Sequence, residues 1–240
     1  MKSLIKRLIH GVGYDLHRLN VNSSAKYQLY KSLKNFEINL VLDIGANEGQ
    51  FASELRSVGY KDKIISFEPL PGAYQVISKA ASSDKHWIVH ERGAIGDYDG
   101  EIQINVSGNS VSSSILPMTD AHSSAAQNSA YIGSEKVAIT QLDSVVSDYI
   151  TPSSRTFIKI DTQGFEWQVL DGASETLKNA QGVLCEMSLV PLYEGQKLWM
   201  EMLKRLESEG FTLWAIQRGF TDPRDGRSLQ MDAIFYRLDS

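Results

Sequence analysis

The run Val41-Leu42-Asp43-Ile44-Gly45-Ala46-Asn47-Glu48-Gly49-Gln50-Phe51 constrains the fold of this chain more than any other stretch. Its apolar start reads as a buried strand, its small residues as a tight turn, and its end as the opening of a helix. Ile64-Ile65-Ser66-Phe67-Glu68-Pro69 repeats the pattern as a strand with an acid at its end. Strand and helix signals alternate around these two. Leu40–Ile44 reads as a strand, Gln50–Val58 as a helix closed by Gly59, Lys63–Phe67 as a strand and Ala73–Ala81 as a helix. Trp87–His90 is a further strand that continues toward Ala94. Apolar strands in βαβαβ order predict a parallel sheet covered by helices on both faces.

The middle of the chain has a different texture. Gly96-Asp97-Tyr98-Asp99-Gly100 is turn chemistry, Glu101–Val106 alternates as a half-buried strand does, and residues 107–134 are rich in Ser, Ala and Asn. A connection of that length inside a compact domain reads as a substrate loop or lid, or as a plain flexible insert. Val137–Thr140 resumes as a strand and Leu142–Tyr149 as a short helix. The α/β rhythm then returns with strand Thr156–Asp161, helix Phe165–Lys178, strand Gly182–Met187 and helix Leu198–Glu209. Phe211–Ile216 and Met231–Arg237 close the chain as strands, the last antiparallel to an otherwise parallel sheet. Residues 1–37 form an N-terminal helical extension, broken at Gly11–Gly13, and residues 38–240 a single α/β domain.

Charge and cysteine content narrow the function classes. A formal net charge of −5 leaves no broad basic surface for nucleic acid or an anionic membrane. Cys185 is the only cysteine and sits in an apolar run, as a buried thiol in a reducing cytoplasm would. Lys6, Arg7 and His10 interrupt any signal-peptide core, and no apolar run is long enough to span a bilayer. Leu4, Ile5, Leu8 and Ile9 form an apolar face at helical spacing. That face reads as packing on the domain or on a second subunit, a homodimer contact, with weak membrane-surface contact as the sharper alternative.

In open α/β sheets, ligands bind beyond the carboxyl ends of the strands. Asp43, Gly45, Glu68, Ala94, Asp161 and Glu186 stand at those ends. The dinucleotide pattern G-x-G-x-x-G is missing, and Glu48 near the helix start would repel a pyrophosphate. A phosphate-free cofactor with a cationic or zwitterionic tail fits better, and S-adenosylmethionine is one. Asp43 would hold its ammonium directly or through water, and Glu68 would accept from the ribose hydroxyls. Ala94 and Ile95 would frame the adenine, with Asp97 as a polar partner. Gly45, Asn47, Gly49, Pro69 and Asp161 complete the expected cofactor set.

Further blocks follow in order. They are Phe67-Glu68-Pro69, Ala94-Ile95-Gly96-Asp97 with Gly100, the paired Ser112-Ser113, and Leu142-Asp143-Ser144. The most specific is Ile158-Lys159-Ile160-Asp161-Thr162-Gln163-Gly164-Phe165-Glu166, with Leu170, Gly172 and Ala173 behind it. Glu186 and Asp232-Ala233-Ile234-Phe235 end the series. From about Leu40 to Arg237 the chain resembles the FkbM family, a branch of the class I S-adenosylmethionine-dependent methyltransferases. The resemblance implies the Rossmann-like class I fold, a mostly parallel seven-stranded sheet with an antiparallel last strand. It also implies O-methylation, with acceptors that include sugar and polyketide hydroxyls.

An alcohol does not ionise unaided near neutral pH, so a hydroxyl acceptor asks for a base, a metal or both. Asp161 is the first candidate base; Glu166 opens the following helix and Glu186 ends the next strand. Phe157, Lys159 and Asp161 share one side of their strand. A lysine there needs partners, for which Asp43 and Glu186 are placed. It either neutralises a structural carboxylate cluster or also keeps Asp161 ionised. His122 is a second candidate base if its loop closes. No metal is required; Mg2+, if bound, would take Asp161 and Glu186, with Glu166 as a further donor. His90 reads as a core or rim residue, Tyr193 as lining the acceptor pocket. The expected function is S-adenosylmethionine-dependent O-methylation of a small molecule, sugar, glycolipid or secondary metabolite, with no nucleic-acid partner. The rival readings are a nicotinamide-dependent oxidoreductase and a non-catalytic methyltransferase-like binding protein.

Overall fold

The computed structural model describes residues 10–14 and 19–238. Leu4, Ile5, Leu8 and Ile9 lie outside the described residues, and their apolar face with them. A turn does fall at residues 12–13, where the Gly13 N–H donates to the His10 carbonyl. Helix α1 (Ala25–Asn35) starts at Ser24, whose hydroxyl accepts from the Tyr27 N–H, and buries Leu29 and Leu33.

The strands are β1 (Leu40–Ile44), β2 (Lys63–Phe67), β3 (Trp87–Val89), β4 (Ala94–Gly96), β5 (Gly100–Ser107), β6 (Tyr131–Gln141), β7 (Thr156–Ile160), β8 (Gly182–Ser188), β9 (Thr212–Arg218) and β10 (Gln230–Tyr236). Seven of them form one sheet in the order β3-β2-β1-β7-β8-β10-β9. All neighbours in it are parallel except β10, which runs antiparallel to both β8 and β9. This is the expected Rossmann-like sheet with its antiparallel last strand. The strand order reverses between β1 and β7, so the crevice at their carboxyl ends is where a ligand site belongs.

Every residue of β1 and β7 is buried, as strands covered on both faces must be. The two-residue period sends alternate side chains to opposite cores. Leu40, Leu42 and Ile44 join Ile158, Ile160, Phe165 and Val169 on one face. Val41 joins Phe157, Ile64, Leu29 and Leu33 on the other. Asp43 lies on this second face, in register with Ser66 and with Lys159.

Helices α2 (Gln50–Ser57) and α3 (Pro71–Ala81) link the first three strands. Three expectations need correction beyond them. First, β3 stops at Val89 and does not run on to Ala94. Exposed Glu91 and Arg92 carry the chain to the surface, and Ala94–Gly96 pairs with Ile139–Gln141 of β6 instead. Second, β6 begins at Tyr131, not Val137, because it pairs antiparallel with the whole of β5, down to Ser107 against Tyr131. The small sheet β4-β6-β5 thus absorbs part of the expected loop, leaving residues 108–130 as an insert with one short helix, α4 (Asp120–Ala125). Third, the helix expected over Phe165–Lys178 is two. After α5 (Leu142–Val145) come α6 (Glu166–Asp171) and α7 (Ser174–Asn179). Gly172 between them lies so close to the strand-end turn that a Cβ there would fall 1.7 Å from the Gly96 carbonyl oxygen. Helix α8 (Trp199–Ser208) precedes β9. Among the described residues no helix is long and apolar enough to cross a membrane.

Candidate active site

The turn after β1 is shaped by the strand beside it. Gly45 has φ +73, and a Cβ on it would fall 1.9 Å from the Asp161 carbonyl oxygen, so no other residue fits without moving β7. The Gly45 and Ala46 N–H groups donate to the Phe67 carbonyl, which aims the turn at the end of β2. There the Asn47 N–H donates to Glu68 Oε2 at 2.7 Å and the Leu70 N–H to Glu68 Oε1 at 2.8 Å. Burial pushes the Glu68 carboxyl up to about 7, against these two bonds and the distant Lys159 charge. Each carboxylate oxygen keeps acceptor capacity toward the cavity it lines.

That cavity measures about 1070 Å3. Gly45, Ala46, Asn47, Glu68, Pro69, Ala94 and Ile95 line one side; Lys159, Asp161, Gln163, Glu186 and Asp232 line its floor. The insert contributes Asn109–Ile115 and His122, and α1 with the β9–β10 connection closes the remaining side. Three expected cofactor residues are not on the wall. Gly49 packs its backbone against the Trp87 ring, Asp97 is exposed on the turn before β5, and Asp43 is sealed inside.

Asp43 faces Lys159, not the cavity. Its Oδ1 is 3.2 Å from Lys159 Nζ, and its Oδ2 accepts from the Ser66 hydroxyl, which in turn accepts from Trp87 Nε1. Burial raises the Asp43 pKa, against the Lys159 charge and bond. For Lys159, burial works downward, but Asp43 and Asp161 outweigh it and hold the ammonium above its ordinary value. The same ammonium donates to the Gly45 carbonyl at 2.8 Å and lies 3.5 Å from Asp161 Oδ2. One buried cation therefore ties the β1 turn to the end of β7.

Asp161 Oδ1 accepts from Gln163 Nε2 at 2.8 Å. The same nitrogen donates to Glu186 Oε2 at 2.8 Å, and Gln230 Nε2 reaches that oxygen at 2.6 Å. Glu186 is pushed well up by burial, then by Asp161, Glu166 and Asp232. Asp232, opposite it on β10, rises to about 6 for the same leading reason. Glu166 turns away from the cavity. Its Oε1 accepts from the Thr162 and Gly164 N–H groups and the Thr162 hydroxyl, so it folds the turn that presents Asp161. Burial sets its carboxyl at about 7.

His122 is 2% exposed, with Nε2 3.1 Å from Ser112 Oγ and its ring against those of Tyr193 and Phe220. Burial lowers its pKa to about 4, so the ring is neutral near pH 7. Tyr193, expected on the acceptor wall, is wholly buried behind it, its hydroxyl donating to Gln163 Oε1 at 2.8 Å. Among the described residues no group of three or more His, Cys, Asp or Glu side chains is set to hold a metal ion. Asp161 and Glu186, the pair named for one, share the Gln163 amide.

The model of the methyltransferase FkbM domain matches residues 43–213. This chain belongs to the FkbM methyltransferase family.

Membership makes methyl transfer from S-adenosylmethionine the chemistry of this FkbM protein, and it leaves the acceptor undefined. No curated protein matches the sequence. Solved structures with a similar course include an rRNA methylase from Streptococcus thermophilus, at 10% identity and TM-score 0.47, covering 90% of this chain and 98% of that one. A TehB-like SAM-dependent methyltransferase from Corynebacterium glutamicum shares 11% identity at TM-score 0.41, over 99% and 96% of the two chains. A candidate tRNA (m1A22) methyltransferase from Streptococcus pneumoniae, solved with S-adenosyl-L-methionine, shares 12% identity at TM-score 0.46, over 89% and 73%. Nothing about the acceptor of this FkbM protein follows from likenesses that distant.

Sequence reasoning missed Gln163, Gln230 and Asp232 as site residues of the FkbM fold. Gln163 stands two residues after the strand-end acid Asp161, which was the available signal. Gln230 and Asp232 arrive from the far end of the chain, and only the sheet order brings β10 beside β8.

Proposed function

We propose that this FkbM protein methylates a hydroxyl oxygen of a small molecule or glycan, such as a sugar, glycolipid or secondary metabolite. The observation that carries this reading is the Asp161 carboxylate, held on the cavity floor by Lys159 at one oxygen and Gln163 at the other. The wall beside it fits the cofactor. Glu68 is an almost buried carboxylate with acceptor capacity to spare, suited to a ribose diol. Ala94 and Ile95 offer an apolar face for adenine, and the Gly45 turn brings bare backbone to the floor. When bound, S-adenosylmethionine supplies a methyl on a positively charged sulfur, whose transfer to a hydroxyl leaves a thioether, an ether and one proton.

Asp161 takes that proton. Its place at the carboxyl end of β7, between the Gly45 turn and Glu186, sets it at the boundary of the cofactor wall and the open half of the cavity. Lys159 acts from behind, joined to both Asp43 and Asp161. His122, 2% exposed and bonded to Ser112 Oγ, serves the insert wall. The floor is rich in carboxylates and the net charge is −5, which opposes a phosphate backbone.

The test is transfer of radiolabelled methyl from S-adenosylmethionine to a panel of sugars, glycolipids, hydroxylated metabolites and RNA. Label is expected on a hydroxyl acceptor, as an ether stable to mild base. Label on RNA with none on the other acceptors would overturn the reading.

A further inference from the structure

We propose that Gln163 is a positioning residue, coupling the seat of the 108–130 insert to the orientation of the Asp161 carboxylate. The inference rests on the reading of Asp161 as the base.

Every polar atom of the Gln163 side chain is engaged. Its two amide hydrogens go to Asp161 Oδ1 and Glu186 Oε2, each at 2.8 Å, and its Oε1 accepts from the Tyr193 hydroxyl at 2.8 Å. Its backbone carbonyl accepts from the Ser114 hydroxyl at 2.6 Å. Two of these links face the floor and two face the insert. Tyr193 also reaches the Ser112 carbonyl at 3.4 Å, and its ring packs on His122, itself bonded to Ser112 Oγ. Insert residues Ser112, Ser114 and His122 thus converge on one glutamine and the tyrosine that holds it.

The backbone shows what this arrangement demands. Gln163 has φ +54 and Gly164 φ +99, two successive left-handed residues. A Cβ on Gly164 would lie 3.0 Å from Tyr193, so glycine there lets the tyrosine approach. A non-glycine residue in that region is uncommon and is kept by what surrounds it. Glu166 supplies the counterpart bonds beneath the turn.

Chemically, the amide bridges two carboxyl groups. Asp161 and Glu186 both present oxygen to it, with Asp43 and Lys159 behind, Glu166 beneath and Asp232 opposite Glu186 on β10. Only a group donating in two directions satisfies both carboxylates while still accepting from Tyr193. Substitution should therefore disturb the rate step and leave the cofactor wall, which shares none of these bonds, as it was.

Gln163→Glu separates the two halves of the role. It keeps an oxygen for Tyr193 and replaces the donor by a third carboxylate oxygen. Near neutral pH, kcat should fall on the order of 100-fold, the size of a misplaced proton acceptor, with S-adenosylmethionine affinity by calorimetry unchanged. Turnover should partly recover toward lower pH, where the new carboxyl carries a proton it can donate. Gln163→Met, which cannot donate at any pH, should lose kcat without that recovery. In ligand-free protein, Gln163→Met and Tyr193→Phe should both speed hydrogen exchange at the Ser112–Ser114 amides. Wild-type kcat in both Gln163 variants, or unchanged exchange in the insert, overturns the coupling. Should Gln163→Glu fail to fold, Gln163→Met and Tyr193→Phe decide the matter alone. Asp161→Asn separates this inference from the reading beneath it: full turnover there sinks the base assignment, while an inactive Asp161→Asn beside an unimpaired Gln163→Met sinks only the coupling.

Discussion

Lys159 Nζ lies 3.2 Å from Asp43 Oδ1, in direct register across two parallel strands and buried with it. A charge in a strand covered on both faces is costly unless a partner of opposite sign is built beside it. Here the partner is on the neighbouring strand, and the lysine spends its remaining reach on Gly45 and Asp161. Lys159→Met would leave Asp43 buried without its counter-ion. The expected loss of stability is about 3–5 kcal/mol, measured by urea unfolding. Adding Asp43→Asn should recover a large part of it. A double variant as unstable as the single one would show that packing, not charge, is the issue.

Buried carboxyls also set the pH dependence of stability. Glu68 and Glu166 are raised from 4.5 to about 7, and Asp232 from 3.8 to about 6, burial leading in each. A raised folded-state pKa means the folded protein holds protons that the unfolded chain releases. Their contribution is full below the unfolded values and is lost as pH rises through about 6 to 7. His122, lowered from 6.5 to about 4, acts in the opposite sense: its contribution is lost as pH falls through that window. Ligand-free protein carrying Glu166→Gln should lose less stability than wild type on going from pH 5 to pH 8, read from thermal melts across that range. An unchanged slope would remove Glu166 from this account.

Glu68 should govern the cofactor and little else. Its two oxygens already hold Asn47 and Leu70, so Glu68→Ala removes the diol acceptor and frees two backbone donors at once. Hydrogen bonds to a charged group contribute about 1.5–3 kcal/mol, so affinity for S-adenosylmethionine should fall on the order of 100-fold by calorimetry. Glu68→Gln should lose most of this as well, because its NH2 would face a backbone donor. Wild-type affinity in either variant would move the cofactor to another part of the cavity.

Much of this was written locally. Apolar runs with a small-residue turn place β1, its crevice and the acid after β2, since those cues lie within a few residues of each other. The two-residue period also sets Asp43 and Lys159 on one face. It does not say that Lys159 draws Asp43 inward, away from the cavity, because that depends on register between strands far apart in the chain. The early start of β6 is hidden for a related reason. Gly133, Ser134 and Glu135 carry no strand signal, and their pairing with β5 supplies it. Gln163 reads as one more turn residue until Glu186 and Tyr193 arrive beside it.

Asp161→Asn gives the sharpest test of the chemistry. The substitution keeps the size of the side chain and an oxygen for Lys159 or Gln163, so fold and cofactor wall should persist. It removes the group that receives the acceptor proton. Positioned bases contribute roughly 100- to 10,000-fold, so kcat should fall by a factor in that range while S-adenosylmethionine binds as before. Because Gln163 donates to Asp161 Oδ1, the asparagine must turn its oxygen toward that amide and its NH2 toward Lys159, a like-polarity contact. A small loss of stability should accompany the large loss of rate. Chelation with EDTA should leave the wild-type rate unchanged, since Asp161 and Glu186 are bridged by an amide. A strong EDTA effect would return these two carboxylates to metal binding, and full turnover in Asp161→Asn would pass the base to another group.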